Sequence, residues 1–521
     1  MQRRPANSTR GAAVRCRGAV RAAVLAALST LSASAALAQA PTAGAAPSAT
    51  AAATPPVQAP ADPAPPAPGT TTFLAETLLR VEFWRYFQPR DGGAAGPDYA
   101  FAGSRSSLGV SYVGPRWSAQ GTLQYVRLEN LPEHAIGPGL LGTGAAYYFQ
   151  AAGTFSYQFY LRGLSLTWRD PEEGTWVEAG RLSRAAAVEP PSGDATIDGL
   201  VRDELNGRLL GDMEWSYYQR AWDGVRGGIA RNGRSATLTV AAPTQGTYEE
   251  SANLYMDDVP VVALELSARP GAVIPRTRLD VFGIYYGDTR RISARPDNTA
   301  RQEARVRLAL STVGASAVGA YPRGGGTFDV SLWGAVQGGR WYEQSHRAGA
   351  GTAAVGYRRT SAAWRPRARA GIVWASGDPD PLDDRHGTFF PMLPSGDRLS
   401  AINAYALMNV RDAWVAVDLA PSSRLNVAGG LHRVRLSQGA DRWYHGSGAT
   451  ARVGNYFGFQ GRAGGGATSL GTVMEARVEW RPWGRVALRG YVGRMAGGDV
   501  PARLFAGPRL LTGWMESAVR F

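Results

Sequence analysis

The sequence predicts an all-β fold, a transmembrane antiparallel β-barrel of about 18 strands preceded by an N-terminal signal peptide and a disordered Pro/Ala-rich linker. Three observations predict it. An export signal opens the chain, hydrophobicity alternates with period two through most of the rest, and the connections between strands alternate between short and long.

At the start, Arg3, Arg4, Arg10, Arg15, Arg17 and Arg21 precede an apolar run from Ala22 to Leu37 that ends in Ala36-Leu37-Ala38. A basic region, a short apolar region and a small-residue cleavage site make residues 1–38 a signal peptide. The run is too short and too interrupted by serine to span a membrane as a helix. Its arginines have no compensating acid, so cleavage takes the formal charge from +14 to about +8. The single cysteine, Cys16, leaves with it, which excludes disulfides, thiol chemistry and Cys-ligated metals in the mature chain. The chain has no lysine, a bias that a GC-rich genome explains, so every fixed side-chain cation is an arginine. Residues 39–72 are Ala, Pro, Thr and Gly with almost no large apolar side chain. Such a segment buries too little surface to offset its ordering entropy, and reads as a periplasmic spacer.

Residues 73–521 hold no apolar stretch near 20 residues, which excludes helical spans. Alternation is plain instead. Leu279, Val281 and Tyr285 share one face against Arg276, Arg278 and Asp280. Ala304, Val306, Leu308 and Leu310 oppose Glu303, Arg305 and Arg307, and Met474, Ala476, Val478 and Trp480 oppose Glu475, Arg477, Glu479 and Arg481. Tyr86, Trp168, Trp364, Trp374 and Trp480 fall near strand ends, where a membrane barrel carries its aromatic girdle.

Strands are expected to begin near residues 77, 105, 116, 155, 174, 219, 233, 258, 275, 302, 327, 347, 363, 411, 424, 471, 485 and 510. Tight turns such as 231–234, 420–423 and 481–484 follow even-numbered strands. Long segments such as 88–104, 129–154, 183–218, 376–410 and 437–470 follow odd-numbered ones. A barrel with both termini in the periplasm, short periplasmic turns and long external loops shows this parity. The connection 311–326 is longer than the rule allows, which leaves a misplaced strand open there. The last segment, RLLTGWMESAVRF, puts Met515, Val519 and Phe521 on one face and ends on an aromatic, as many outer-membrane strands read by the barrel-assembly machinery do.

Several motifs then appear in order. RLLGDMEWSYYQRAWDGVR at 208–226, ASGDPDPLDDRHGTFFPMLPSGD at 375–397, DRWYHGSG at 441–448 and GTVMEARVEWRPWGRVALRGYVGRMAGGD at 471–499 resemble the alginate-export family of outer-membrane porins, with a looser match at LLRVEFWRYF, 78–87. The resemblance implies an eighteen-stranded barrel that passes an anionic polysaccharide, alginate in the type member, through an arginine-rich pore.

The residues agree in sign. Arg278, Arg305, Arg307, Arg367, Arg369, Arg477 and Arg489 have the parity opposite to the apolar face and are expected to line the lumen. Guanidinium groups grip carboxylates in a two-point fork, and arginine rings favour anions. Asp280, Glu303, Glu475 and Glu479 share that face and offer the alternative, ion pairs that brace the wall. Asp378, Asp380, Asp383 and Asp384 supply enough oxygens for a weak Ca²⁺ candidate, although a solvated or inward-folded loop is the commoner outcome. His134, His346, His386, His432 and His445 show no ligand spacing, so no metal is assigned, and His432 lacks a recognisable nucleophile, so neither is catalysis. The expectation is therefore a channel without cofactor, enzymatic activity or nucleic-acid partner, monomeric in the outer membrane among lipid and lipopolysaccharide. A general anion or sugar porin and a plugged surface or adhesin barrel are the alternatives.

Overall fold

The computed structural model describes residues 69–90, 96, 98–133, 143–151, 153–183, 192–246, 254–297 and 305–521. The expected signal peptide, residues 39–68 of the linker, His134 and Glu303 lie outside the described residues.

Eighteen long strands follow one another: β1 Thr70–Arg85, β2 Asp98–Val113, β3 Trp117–Glu129, β4 Phe155–Asp170, β5 Thr175–Leu182, β6 Trp222–Arg231, β7 Arg234–Pro243, β8 Val261–Ala268, β9 Thr277–Asp288, β10 Leu308–Arg323, β11 Gly326–Trp341, β12 Gln344–Arg358, β13 Arg367–Ala375, β14 Val410–Ser422, β15 Leu425–Leu436, β16 Ser469–Trp483, β17 Val486–Gly497 and β18 Arg509–Arg520. Each pairs antiparallel with its neighbour in sequence, and β1 pairs with β18 from Glu76 opposite Arg520 to Arg85 opposite Leu511. The sheet therefore closes and leaves no edge. Phe521 extends the seam, its amide donating to the Ala75 carbonyl at 2.9 Å.

The short connections follow even-numbered strands, as between β6 and β7, where Asn232 and Gly233 both take positive φ (50° and 73°) in a two-residue hairpin turn. One odd-numbered connection departs from the parity: β11 and β12 are joined by Tyr342 and Glu343 alone. The barrel thus has a short-turn end, where the described chain begins and ends, and a long-loop end.

Most strands begin close to the expected positions. β1 begins at Thr70 rather than near 77, within the segment read as linker, and β2 at Asp98 rather than near 105. The largest consequence is at β10, which begins at Leu308 rather than near 302. The segment 311–323, read as an overlong turn, is strand, and its Ser, Ala and Gly are wall residues with the real turn at Gly324 and Gly325. Arg305 and Arg307 therefore precede the strand at the long-loop end.

Outward residues are apolar and exposed, among them Val281, Tyr285, Met474, Val478 and Trp480, as a lipid-facing wall requires. Trp364, Trp374 and Trp480 are exposed near strand ends, and Trp168 shares the outward parity of Leu164 and Leu166. Tyr86 is not part of that girdle. It is 2% exposed and packs edge-on to Phe87 and Phe505, because β1 ends at Arg85 and the chain turns inward. The apolar core sits inside the barrel. In its long-loop half the inward wall residues Val126, Tyr286, Leu310, Val434 and Met495 are buried against folded-in connections that carry Leu210, Phe389, Met392 and Trp443.

Candidate functional site

The lumen is the site, and three connections shape it. In the β5–β6 connection, Asp194 caps a helix, Ala195–Leu200, by accepting from the amides of Thr196 and Ile197 at 2.9 and 3.2 Å. A π turn, Val201–Leu205, continues it, and the chain then crosses the barrel. At one end Glu204 meets Arg367 and Arg369 of β13 at 3.4 and 3.5 Å. At the other, Arg80 on β1 donates to the Trp215 carbonyl at 2.6 Å, and Arg105 on β2 donates to the carbonyls of Glu214 and Ser216. β13 and β1 stand six strand steps apart around the ring, so segment 204–216 divides the lumen.

The β13–β14 connection packs on this bar. Leu210 and Leu393 form a parallel bridge, with the Gly211 amide donating to Leu393 O at 2.8 Å and the Leu393 amide to Leu209 O at 2.9 Å. The fully buried Arg220 joins them to the β15–β16 connection, donating to the carbonyls of Gly211, Leu393 and Ser447 at 3.0, 2.9 and 2.8 Å. Asp441 completes the knot. Its carboxylate accepts from Thr388 Oγ1 at 2.6 Å, the Asp378 amide at 2.9 Å, Tyr444 OH at 2.6 Å and its neighbour's amide, Arg442 N, at 2.7 Å. Neither Arg220 nor Asp441 stood out in the sequence, since their partners are up to 227 residues away.

The sequence-derived candidates fall into three groups. Arg278, 2% exposed, pairs with Asp280 at 2.9 Å and reaches Glu265 at 3.9 Å, while Asp280 also accepts from Ser316. Arg367 pairs with Asp329 at 2.7 Å, Arg369 with Asp418 at 3.0 Å, and Arg489 with Glu516 at 2.7 Å and Glu479 at 3.8 Å. These four inward arginines are neutralised where they stand. Glu479 also takes Arg481 at 2.5 Å. Arg305 and Arg307 form the second group, outside the wall, with Arg307 paired to Glu343 in the β11–β12 turn. Arg477 is the third. It faces inward between Tyr491 on β17 and Ala428 on β15, is exposed, and has no carboxylate within 4 Å among the described residues.

The acidic loop spends its carboxylates on its own backbone. Asp378 accepts from the Asp380 amide, Asp380 from Leu382 and Asp383 from Arg385, so among the described residues it gathers no metal cage. Burial holds the Asp378 carboxyl above the usual carboxylate range.

Two histidine constellations escaped the sequence. His346 Nδ1 lies 2.9 Å from His386 Nδ1, and His386 stacks on Trp341 with centroids 4.1 Å apart and planes 3° apart. His432 lies between Asp412, 2.8 Å from Nδ1, and Glu475, 3.6 Å from Nε2. Ser400 is nearby, but its hydroxyl donates to Glu475 Oε2 at 2.6 Å rather than to His432, so this is a latch between loop and wall and not a nucleophile with its base. Tyr405 OH donates to Asp412 at 2.9 Å and makes the same loop-to-wall link.

The alginate export family matches residues 202–499. No curated protein matches the sequence. Solved structures of similar fold include Pseudomonas aeruginosa OpdK with vanillate (10% identity, 86% of this chain and 98% of that one, TM-score 0.53). Others are Pseudomonas aeruginosa OccK2 (OpdF) in complex with glucuronate (8%, 87% and 96%, TM-score 0.52) and Acinetobacter baumannii OccAB4 (8%, 87% and 98%, TM-score 0.51). At such identities the likeness is one of fold.

Proposed function

Because the chain belongs to the alginate export family and folds as an outer-membrane porin barrel, we propose that it passes an anionic polysaccharide of the alginate kind, or a related anionic solute, by passive diffusion. Family and fold are those of transport channels rather than enzymes. The short-turn end and both termini face the periplasm in this reading, and the long loops face outward.

The observation that carries the reading is Arg477. The wall around it is the part of the lumen that segment 204–216 leaves clear, where Asn426 is exposed and Arg489 half-buried, while most inward residues on β8 to β11 are buried. An exposed guanidinium there offers a two-point contact to each passing carboxylate. The paired arginines, Arg278 and Arg367 above all, brace the wall, so selectivity comes from few free cations rather than a ring. Glucuronate in the similar OccK2 barrel and vanillate in OpdK are both carboxylates, which supports an anionic solute and keeps a general small-anion porin as the second reading. The packed long-loop half of the lumen favours the third, a plugged surface barrel without transport. Purified protein in a planar bilayer separates them: anion-selective conductance blocked by uronate oligomers is expected, conductance without block identifies a general porin, and no conductance overturns the channel.

A further inference from the structure

The outward face of β14 and β15 gathers three arginines at the long-loop end. Arg411 stands directly opposite Arg435, and Arg433 lies two residues before Arg435 on the same face. All three are exposed, and among the described residues no carboxylate lies within 4 Å of them. Arg435 donates to Thr468 Oγ1 at 3.3 Å. Their outward neighbours across the strands are Trp374, Ala413, Ser469 and Thr472, none of them acidic. Like charges directly opposite on a sheet face repel and destabilise it, unless an anion sits between them. Guanidinium groups converging on one spot match a phosphate, which accepts from several forks at once.

A second pair stands a few strands away. Arg340 on β11 is opposite Ser345, two residues before Arg347 on β12, so the two exposed arginines are diagonal neighbours, roughly 7–8 Å apart at Cα. Toward the membrane centre, below the pair, the outward wall from β9 to β13 is hollowed into an apolar groove of about 600 Å³, and only its β13 edge approaches the trio. Its floor is Gly334, Gly351 and Ala353, and its rim is Leu332, Ile372 and Trp374. Trp374 joins groove to trio, being opposite Gly351 on one side and Arg411 on the other. Gly351 lies four residues below Arg347, ~13 Å along the strand at 3.3 Å per residue.

We propose that this patch binds lipid A, the bisphosphorylated, multiply acylated anchor of lipopolysaccharide. One phosphate sits on Arg411, Arg433 and Arg435, the second faces Arg340 and Arg347, and an acyl chain fills the groove below. Two cationic clusters, one above a hydrocarbon-sized groove and one beside its β13 edge, fit a headgroup with two phosphates better than a zwitterionic phospholipid, whose single phosphate carries its own ammonium. The site rests on the long-loop end facing the outer leaflet, and not on the channel conducting.

Native mass spectrometry of the purified full-length protein tests it, with bisphosphorylated lipid A, dephosphorylated lipid A and phosphatidylglycerol as probes. Wild type is expected to retain bisphosphorylated lipid A at least tenfold more tightly than the other two. The triple variant R411S/R433S/R435S is expected to lose that preference, R411K/R433K/R435K to keep part of it, and A353F, which fills the groove, to weaken it while the arginines stay. Barrel integrity is read from heat-shifted electrophoretic mobility, and conductance is measured separately, so failure of the channel and failure of the lipid site are distinct results. Equal binding of dephosphorylated lipid A or phosphatidylglycerol, unchanged binding by the triple serine variant, or occupation of the face by a second copy of the chain would each overturn the proposal.

Discussion

The Arg220 guanidinium donates through Nη1 to the Leu393 carbonyl at 2.9 Å, tying two connections that lie 173 residues apart. The same group reaches Ser447 O at 2.8 Å, so one side chain pins three inward loops. Arg220→Met keeps the apolar stem but deprives three buried carbonyls of a charged donor, and hydrogen bonds to charged groups contribute ~1.5–3 kcal/mol each. Local opening of the loops is expected to become easier by about 3 kcal/mol, on the order of 100-fold. Limited proteolysis should cut the loops faster while the barrel keeps its heat-shifted mobility. Unchanged cleavage would show that other contacts hold the loops without Arg220.

Arg477→Ser should roughly halve the anion-to-cation permeability ratio, because it removes an exposed inward cation that has no ion-pair partner among the described residues. Arg305→Ser should leave the ratio nearly unchanged, since Arg305 stands before β10 at the long-loop end. Reversal potentials in a salt gradient compare the two. A larger effect from Arg305 would place the selective point at the loops instead of the wall.

Alternation along a strand shows that two faces exist, not which one meets lipid. For β9 and β16 the charged face is the inner one, which carries Arg278 and Asp280 on the first and Arg477 and Glu479 on the second. In β10 the rule fails. Leu308 and Leu310 look like lipid-facing residues but are 4% and 0% exposed inside the lumen, because folded loops make that part of the inner wall apolar too. Strand count, closure and most starts were legible because turn residues and period two are local signals. Arg220, Asp441 and the His346–His386 contact were not, because their partners are set by where loops fold rather than by any spacing along the chain.

Asp441 gives the loops a dependence on pH. Burial holds its carboxyl above the usual carboxylate range, against hydrogen bonds from Thr388, Tyr444 and the amides of Asp378 and Arg442 that pull it down. With the folded value raised, the folded state binds more protons than the unfolded one between ~3.9 and that raised value. The contribution of this group to stability therefore grows as pH falls through that window and diminishes as pH rises out of it. Loop protection from proteolysis should increase on mild acidification, and Asp441→Asn, which cannot titrate, should flatten the profile. An identical profile in the variant would assign the dependence to another group.

Gly103 on β2 makes room for the crossing segment. A Cβ built there would lie 2.4 Å from Tyr217 Cε1 and 2.7 Å from Leu128 Cδ2, both in packed surroundings. Tyr217 also carries Arg80 over its ring at 5.3 Å and donates through its hydroxyl to the Arg80 carbonyl at 3.2 Å, so it cannot shift without disturbing the bar. Overpacking of this kind costs ~1–3 kcal/mol. Gly103→Val should therefore displace Tyr217 and raise open-channel noise, with loop cleavage accelerated. Gly283→Val serves as the control, since among the described residues no atom beyond its chain neighbours lies within 4 Å of a Cβ built on the outward face of β9. Equal behaviour of the two variants would mean that the bar tolerates movement of Tyr217 and that close packing against β2 does not position it.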